Sequence, residues 1–216
     1  MFKTLVNAFK IEQLRKRIFY TFWILLVVRL GCQLPIPGVD VAQVRAYLES
    51  VVGNSFSFID SFTGGSFLSM SVFALSVTPY ITSSIIMQLL TIAIPALEEM
   101  QRDGEDGRKK MQKITRYVAV ALAIIESAGL SIGFSRQGAL GDASVFNILT
   151  IIVTLTAGSC IIMWLGERIS DKGIGNGISI ILLIKIVSRM PADFASLYEM
   201  FVKDKDLVKA VVAVCI

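Results

Sequence analysis

The 216 residues include 54% hydrophobic and only 18% charged side chains, with a mean hydropathy of +0.69, so this is no water-soluble domain but a chain built for a lipid bilayer. A net charge of +4 and a pI near 9.0 would suit a nucleic-acid binder, yet the basic residues gather in loops between apolar runs, as they do in membrane proteins, which sets direct nucleic-acid binding aside. Histidine is absent and Cys32, Cys160 and Cys215 lie far apart in apolar stretches, so no metal centre, disulfide framework or other cofactor is expected.

The first apolar run, about 18–34, follows Arg15-Lys16-Arg17 and ends at Pro35-Ile36-Pro37, whose fixed dihedrals stop a helix as it leaves the membrane. It lacks a small-residue cleavage site, so it reads as a retained span rather than a signal peptide. Asp40 to Ser50 is polar and reads as a short surface helix. Residues 56–70 are aromatic and serine-rich, with Asp60 and Gly64-Gly65 inside, and are too interrupted to cross alone. They suit a short mobile helix entering the outer half of the membrane, and equally an external loop. The second span covers about 72–96, with Pro79 expected to kink it. Glu98 to Arg116 holds six basic and five acidic residues and reads as a solvated loop or a docking site. Spans of about 117–133 and 146–165 follow, the latter expected to turn Ile151 toward lipid, and a glycine-studded turn leads to a fifth span, about 174–190, closed by Pro191. From residue 207 a last apolar run begins. Its ten residues make about 15 Å of helix against a core of about 30 Å, so the natural chain is expected to continue into a sixth span.

Thirteen Lys and Arg residues flank these spans on the amino-terminal side of the membrane and six on the other, an asymmetry that puts the amino terminus in the cytoplasm. Glu126 and Lys185 are ionisable residues inside expected spans, where burial in lipid is expensive, so each calls for a partner or a role. Lys185 follows Ile178 by two turns and would point into a water-filled outer funnel, with a local hydrogen bond or snorkelling as the bland account. Arg29 is close enough to its span's end to snorkel. Gly173, Gly175 and Gly177 match no nucleotide-binding spacing and suit a tight turn with close helix packing.

Two long strings carry a resemblance. Thr78-Pro79-Tyr80-Ile81-Thr82-Ser83-Ser84-Ile85-Ile86-Met87-Gln88 and Trp164-Leu165-Gly166-Glu167-Arg168-Ile169-Ser170-Asp171-Lys172-Gly173-Ile174-Gly175-Asn176-Gly177 resemble the most distinctive stretches of the SecY family of protein-conducting channels. Gly104-Glu105-Asp106-Gly107-Arg108-Lys109-Lys110 and Arg29-Leu30-Gly31 through Pro35-Ile36-Pro37-Gly38 look similar too. The likeness runs along essentially the whole chain and corresponds to the family's first five spans and the start of the sixth. It implies an all-α polytopic membrane helix bundle, a half-clamshell with a re-entrant plug helix.

By that resemblance, Ile81, Ile85, Ile178 and Leu182 supply part of an apolar pore ring, although their helical spacing alone fits ordinary packing. Phe56, Phe58, Ile59, Phe62, Gly64, Gly65 and Phe67 fall in the plug, with the glycine pair as its weak point, and Ser84, Gln88 and Glu126 fall near the lateral gate. The implied function is a passive conduit for unfolded secretory polypeptides, and for membrane segments released sideways, in the bacterial plasma membrane. Implied partners are SecE, SecG, and SecA or a ribosome, besides signal sequences. An alternative is half of an inverted-repeat secondary transporter, though isoleucines at the expected midplane argue against substrate ligation there. Catalysis is the poorest reading, with no histidine and no aspartate inside a full span.

Overall fold

A computed structural model describes residues 11–52, 63–136, 138 and 144–203. Among these the chain forms helices α1 (Glu12–Gly31), α2 (Val41–Val52), α3 (Thr78–Ala93), α4 (Pro95–Arg102), α5 (Gly104–Arg136), α6 (Val145–Lys172) and α7 (Gly177–Lys203). The described residues contain no strand, only an isolated antiparallel bridge between Pro35 and Ser71. The expected final run from residue 207 lies outside the described residues.

By length and composition α5 and α6 are each apolar enough to cross a membrane, and α3 with α4, bent by 105°, would be a third if the pair is one span. α1 and α7 stand where the first and fifth spans were expected. Arg15, Lys16, Arg17 and Arg29 in α1, and Lys185, Arg189 and Asp193 in α7, keep those two helices from qualifying on composition. α7 also runs through Pro191 to Lys203 instead of stopping at the proline.

The segment expected to open the second span is not helical. Residues 64–77 form turns, with a bridge at Ser71, and Met70 and Ser76 take left-handed φ values of 41° and 56°. Pro79 therefore does not kink a helix but sits in the first turn of one, where its missing N–H is no loss. The bend falls at Ile94, ahead of Pro95. Residues 63–77 are termed the strap below.

The strap joins two cores. Met70, Ala74 and Leu75 pack with Ile36, Val44, Phe134, Ile151 and Leu155. Phe73 and Val77 pack with Ile24, Val28, Cys32, Ile162, Leu165, Ile169 and Ile181. Ile151 is fully buried, which corrects its expected lipid exposure: an apolar run shows that a helix is surrounded by carbon, not whose carbon. Between apolar helices in lipid the stabilising effect is close packing rather than escape from water. Gly158 serves it directly, since a Cβ there would overlap the Val72 carbonyl oxygen. Gly177 does the same where α7 starts against the Gly166 carbonyl of α6, and Asn176 caps α7 by accepting the Ile178 N–H at 3.1 Å.

Candidate functional site

α3 and α7 border one cleft of about 410 Å³. Ile81 and Ile85 come to it from α3 and Ile178 from α7, so three of the four expected ring residues line a single space. Leu182 does not line it, but packs beside Ile81 and Ile178 on the second core. Around these isoleucines the lining turns polar, with Tyr80, Gln112, Ser170, Asp171 and Asn176 among its residues. The cleft is thus apolar at the isoleucines and polar around them.

The three residues assigned to the lateral gate are not brought together. Ser84 and Gln88 line the cleft and a neighbouring space of about 280 Å³ with Thr115 and Gln112. Glu126, half-buried and about 16 Å farther along α5 than Thr115, lines a separate cavity of about 410 Å³ with Thr63, Phe67, Ala74, Leu75 and Thr78. Glu126 therefore neighbours the strap.

Of the expected plug residues, Phe56, Phe58, Ile59 and Phe62 lie outside the described residues. Gly64, Gly65 and Phe67 lie in the strap, in turns. Both glycines take left-handed φ values, 69° and 83°, which only glycine adopts without strain. Lys185 departs from the outer-funnel expectation: it is 1% exposed, and its Nζ donates to Ser76 Oγ at 2.8 Å. Arg29 does not merely snorkel, because its Nη1 donates to the Gly64 carbonyl at 3.1 Å.

Sequence reasoning gave no role to the ion pair between Arg116 of α5 and Glu167 of α6, both of which line the cleft. A signal for it exists. Arg116 directly precedes the expected third span and Glu167 closely follows the fourth, so antiparallel neighbours bring the opposite charges to one end. Nearby, the Arg168 guanidinium lies 5.2 Å from the centre of the Trp164 ring, a cation–π contact.

The family model described as SecY matches residues 71–216. A curated relative from Streptomyces scabiei, described as protein translocase subunit SecY, is 42% identical over 212 residues, covering 92% of this chain and 48% of the relative. One of the same description from Corynebacterium glutamicum is 40% identical over 200 residues, covering 88% and 46%. The chain thus spans about half the length of the curated relatives it matches. Among solved structures, Sec61 in a canine ribosome-channel complex from the endoplasmic reticulum matches with a TM-score of 0.60 at 18% identity, covering 86% of this chain and 38% of that one. A chain described as the structure of a protein conducting channel matches with the same values. At that identity the likeness shows the fold alone, an all-α membrane helix bundle. The secondary-transporter alternative finds no support among these relatives.

Proposed function

This chain belongs to the SecY family, and on that premise we propose that it supplies one half of a protein-conducting channel in a bacterial plasma membrane, with its amino terminus in the cytoplasm. Unfolded secretory polypeptides pass through the pore, and membrane segments leave sideways past Ser84, Gln88 and Glu126. Ile81, Ile85, Ile178 and Leu182 form part of the ring, and the segment of about 56–70, including Phe56, Phe58, Ile59, Phe62, Gly64, Gly65 and Phe67, is the plug. The conduit does no covalent chemistry. SecE braces it, SecG accompanies it, and SecA or a ribosome supplies the push. The cytoplasmic amino terminus is supported by the surplus of Lys and Arg before the first span and in the Glu98–Arg116 stretch, which the structure shows as helix in α4 and the start of α5 rather than the expected loop, and the bacterial setting by the organisms of the relatives.

The observation that carries the reading is that isoleucines from two different helices, Ile81 and Ile85 of α3 and Ile178 of α7, line one cleft with a polar mouth. The test is photocrosslinking of a stalled secretory substrate in the full-length protein within its assembled complex. Probes replace Ile81, Ile85, Ile178 or Leu182, with Leu149 and Val153 as controls, each 59% exposed on α6. Adducts at the four ring positions well above both controls are expected. Adducts no stronger than the controls would return the four residues to ordinary packing.

A further inference from the structure

Arg29 of α1 and Arg189 of α7 meet at one turn of the strap. Arg29 Nη1 donates to the Gly64 carbonyl at 3.1 Å, and a Cβ added to Gly65 would lie 3.2 Å from Arg189 Nη1. The two guanidiniums therefore flank consecutive residues, and both line a single cavity of about 200 Å³ together with Gln33 and Cys32. By sequence Arg29 lies near the end of the first expected span and Arg189 near the end of the fifth, at the membrane face opposite the amino terminus.

A guanidinium keeps its charge at any physiological pH, so unlike a lysine it cannot escape a poorly hydrated site by losing its proton. Arg29 and Arg189 are both partly buried, and the cavity they share has no acidic residue in its lining. An anion entering it would offset the repulsion of the two like charges. The lining also decides which donors that anion would meet. Ser69 and Ser188 border the cavity, but their hydroxyls donate to the Gly65 carbonyl at 2.6 Å and the Lys185 carbonyl at 2.8 Å. What the lining can offer is therefore side-chain N–H, from the two guanidinium forks and the exposed Gln33 amide. Planar forks match the paired oxygens of a phosphate better than they match a single-atom ion. At about 30 Å³ of liquid volume per water, the space equals six or seven waters, enough for a tetrahedral oxyanion with part of its hydration. Gly65 keeps that space open. Its φ of 83° favours glycine, and any side chain there would press on the Arg189 guanidinium.

We propose that Arg29, Arg189 and Gln33 form a binding site for a phosphate group at the strap turn, supplied by the headgroup of an anionic phospholipid or by an inorganic phosphate ion. The proposal goes beyond the channel reading and does not rest on it.

Cys32 reports on the site from within, since it lines the same cavity and is 3% exposed. The full-length protein with its partner subunits, every other cysteine changed to Ser, is held in maltoside micelles, which carry no phosphate. Alkylation of Cys32 by a small maleimide is followed by mass spectrometry. Inorganic phosphate is titrated against potassium chloride at fixed ionic strength in one arm. Phosphatidylglycerol is added in the other, with diacylglycerol of the same chains as its phosphate-free control. In one arm or both, labelling should slow saturably, by about tenfold at ten times the dissociation constant, as mass action requires for one blocking site. Slowing by the ion identifies free phosphate as a sufficient ligand, and slowing by phosphatidylglycerol alone identifies the headgroup. Arg29→Gln and Arg189→Gln should each weaken binding about tenfold, the loss of one charge-assisted bond, so that the same concentration slows labelling only about twofold. Arg29→Lys, which keeps the charge without the fork, should fall between. Lys16→Gln, which breaks an exposed pair with Glu12, should change nothing. If Arg29→Gln fails to assemble, Arg189→Gln reads the same site from the other helix. No slowing in either arm, equal slowing by diacylglycerol, or undiminished slowing in Arg189→Gln would overturn the site. Labelling needs no translocated substrate, so its outcome is independent of whether the complex moves a secretory protein.

Discussion

Breaking the Arg116–Glu167 pair should loosen α5 from α6 by an amount that its surroundings bound. At an effective dielectric of about 20, charges about 4 Å apart attract by about 4 kcal/mol before any cost. Desolvation and the fixing of two long side chains remove much of that, and a wholly exposed pair nets only about 0.2–1 kcal/mol. Here Arg116 is 43% exposed and Glu167 only 21%, so the pair sits between the exposed and buried limits. We expect a coupling of about 1–2 kcal/mol. The measurement is a double-mutant cycle of Arg116→Gln, Glu167→Gln and both, read from reversible unfolding of the full-length protein in mixed micelles as detergent denaturant is added. Raising the salt toward 1 M, where the screening length is about 3 Å, should erase part of the coupling and spare the rest, because Glu167 is largely covered. A coupling below about 0.3 kcal/mol, within the scatter of independent sites, would refute the claim that this contact ties the two helices.

Gly158→Ala should destabilise the protein by about 1–3 kcal/mol in the same unfolding assay, since the new methyl meets the Val72 carbonyl and α6 must back away from the strap. Gly129→Ala on α5, where an added Cβ meets nothing within 4 Å, should cost nothing, and equal losses at both sites would show that helix proximity is not the cause. Thr21→Val should cost about 1 kcal/mol, because Thr21 Oγ1 accepts the Ile174 N–H at 3.3 Å and so ties α1 to the turn before α7. Amide exchange at Ile174 should accelerate in that variant, and unchanged protection would remove the tie.

The helices were legible because apolar length and loop charge act locally. The 18–34 run and the runs around 117–133 and 146–165 each announce themselves within a window shorter than the helix they build, whereas the charged stretch to Arg116, expected as a loop, is helical in α4 and the first turns of α5. The strap was not legible. Residues 72–77 are as apolar as any span, and what unwinds them is tertiary: Phe73 fills the space left by Gly31, Val72 meets Gly158, and Lys185 reaches Ser76 from far along the chain. Pro79 misled for a related reason, since a proline marks a kink or a first turn according to where the helix starts. Three of the four residues that the resemblance assigned to the ring line one cleft, but helical spacing pairs only Ile81 with Ile85 and does not join Ile178 to them. Glu126 was grouped with Ser84 and Gln88 although it sits by the strap, because proximity across helices depends on their stagger, which sequence spacing within one helix does not contain.

The two helices that bring isoleucines to the cleft are braced from behind rather than by each other. α3 packs on α5 and α4, whereas α7 packs on α6 and α1. Ile81 and Ile178 touch the second core and also border the cleft. The two sets are nevertheless joined, because α5 and α6 pack along each other and Phe134 of α5 shares the first core with Ile151 and Leu155 of α6. Besides that apolar packing, two contacts at the edges of the cleft and the strap tie the sets: Arg116 with Glu167 near the polar mouth, and Ser76 with Lys185 where the strap meets α7. Both are polar contacts, which switch over a short distance, unlike apolar packing, which yields gradually over a large area.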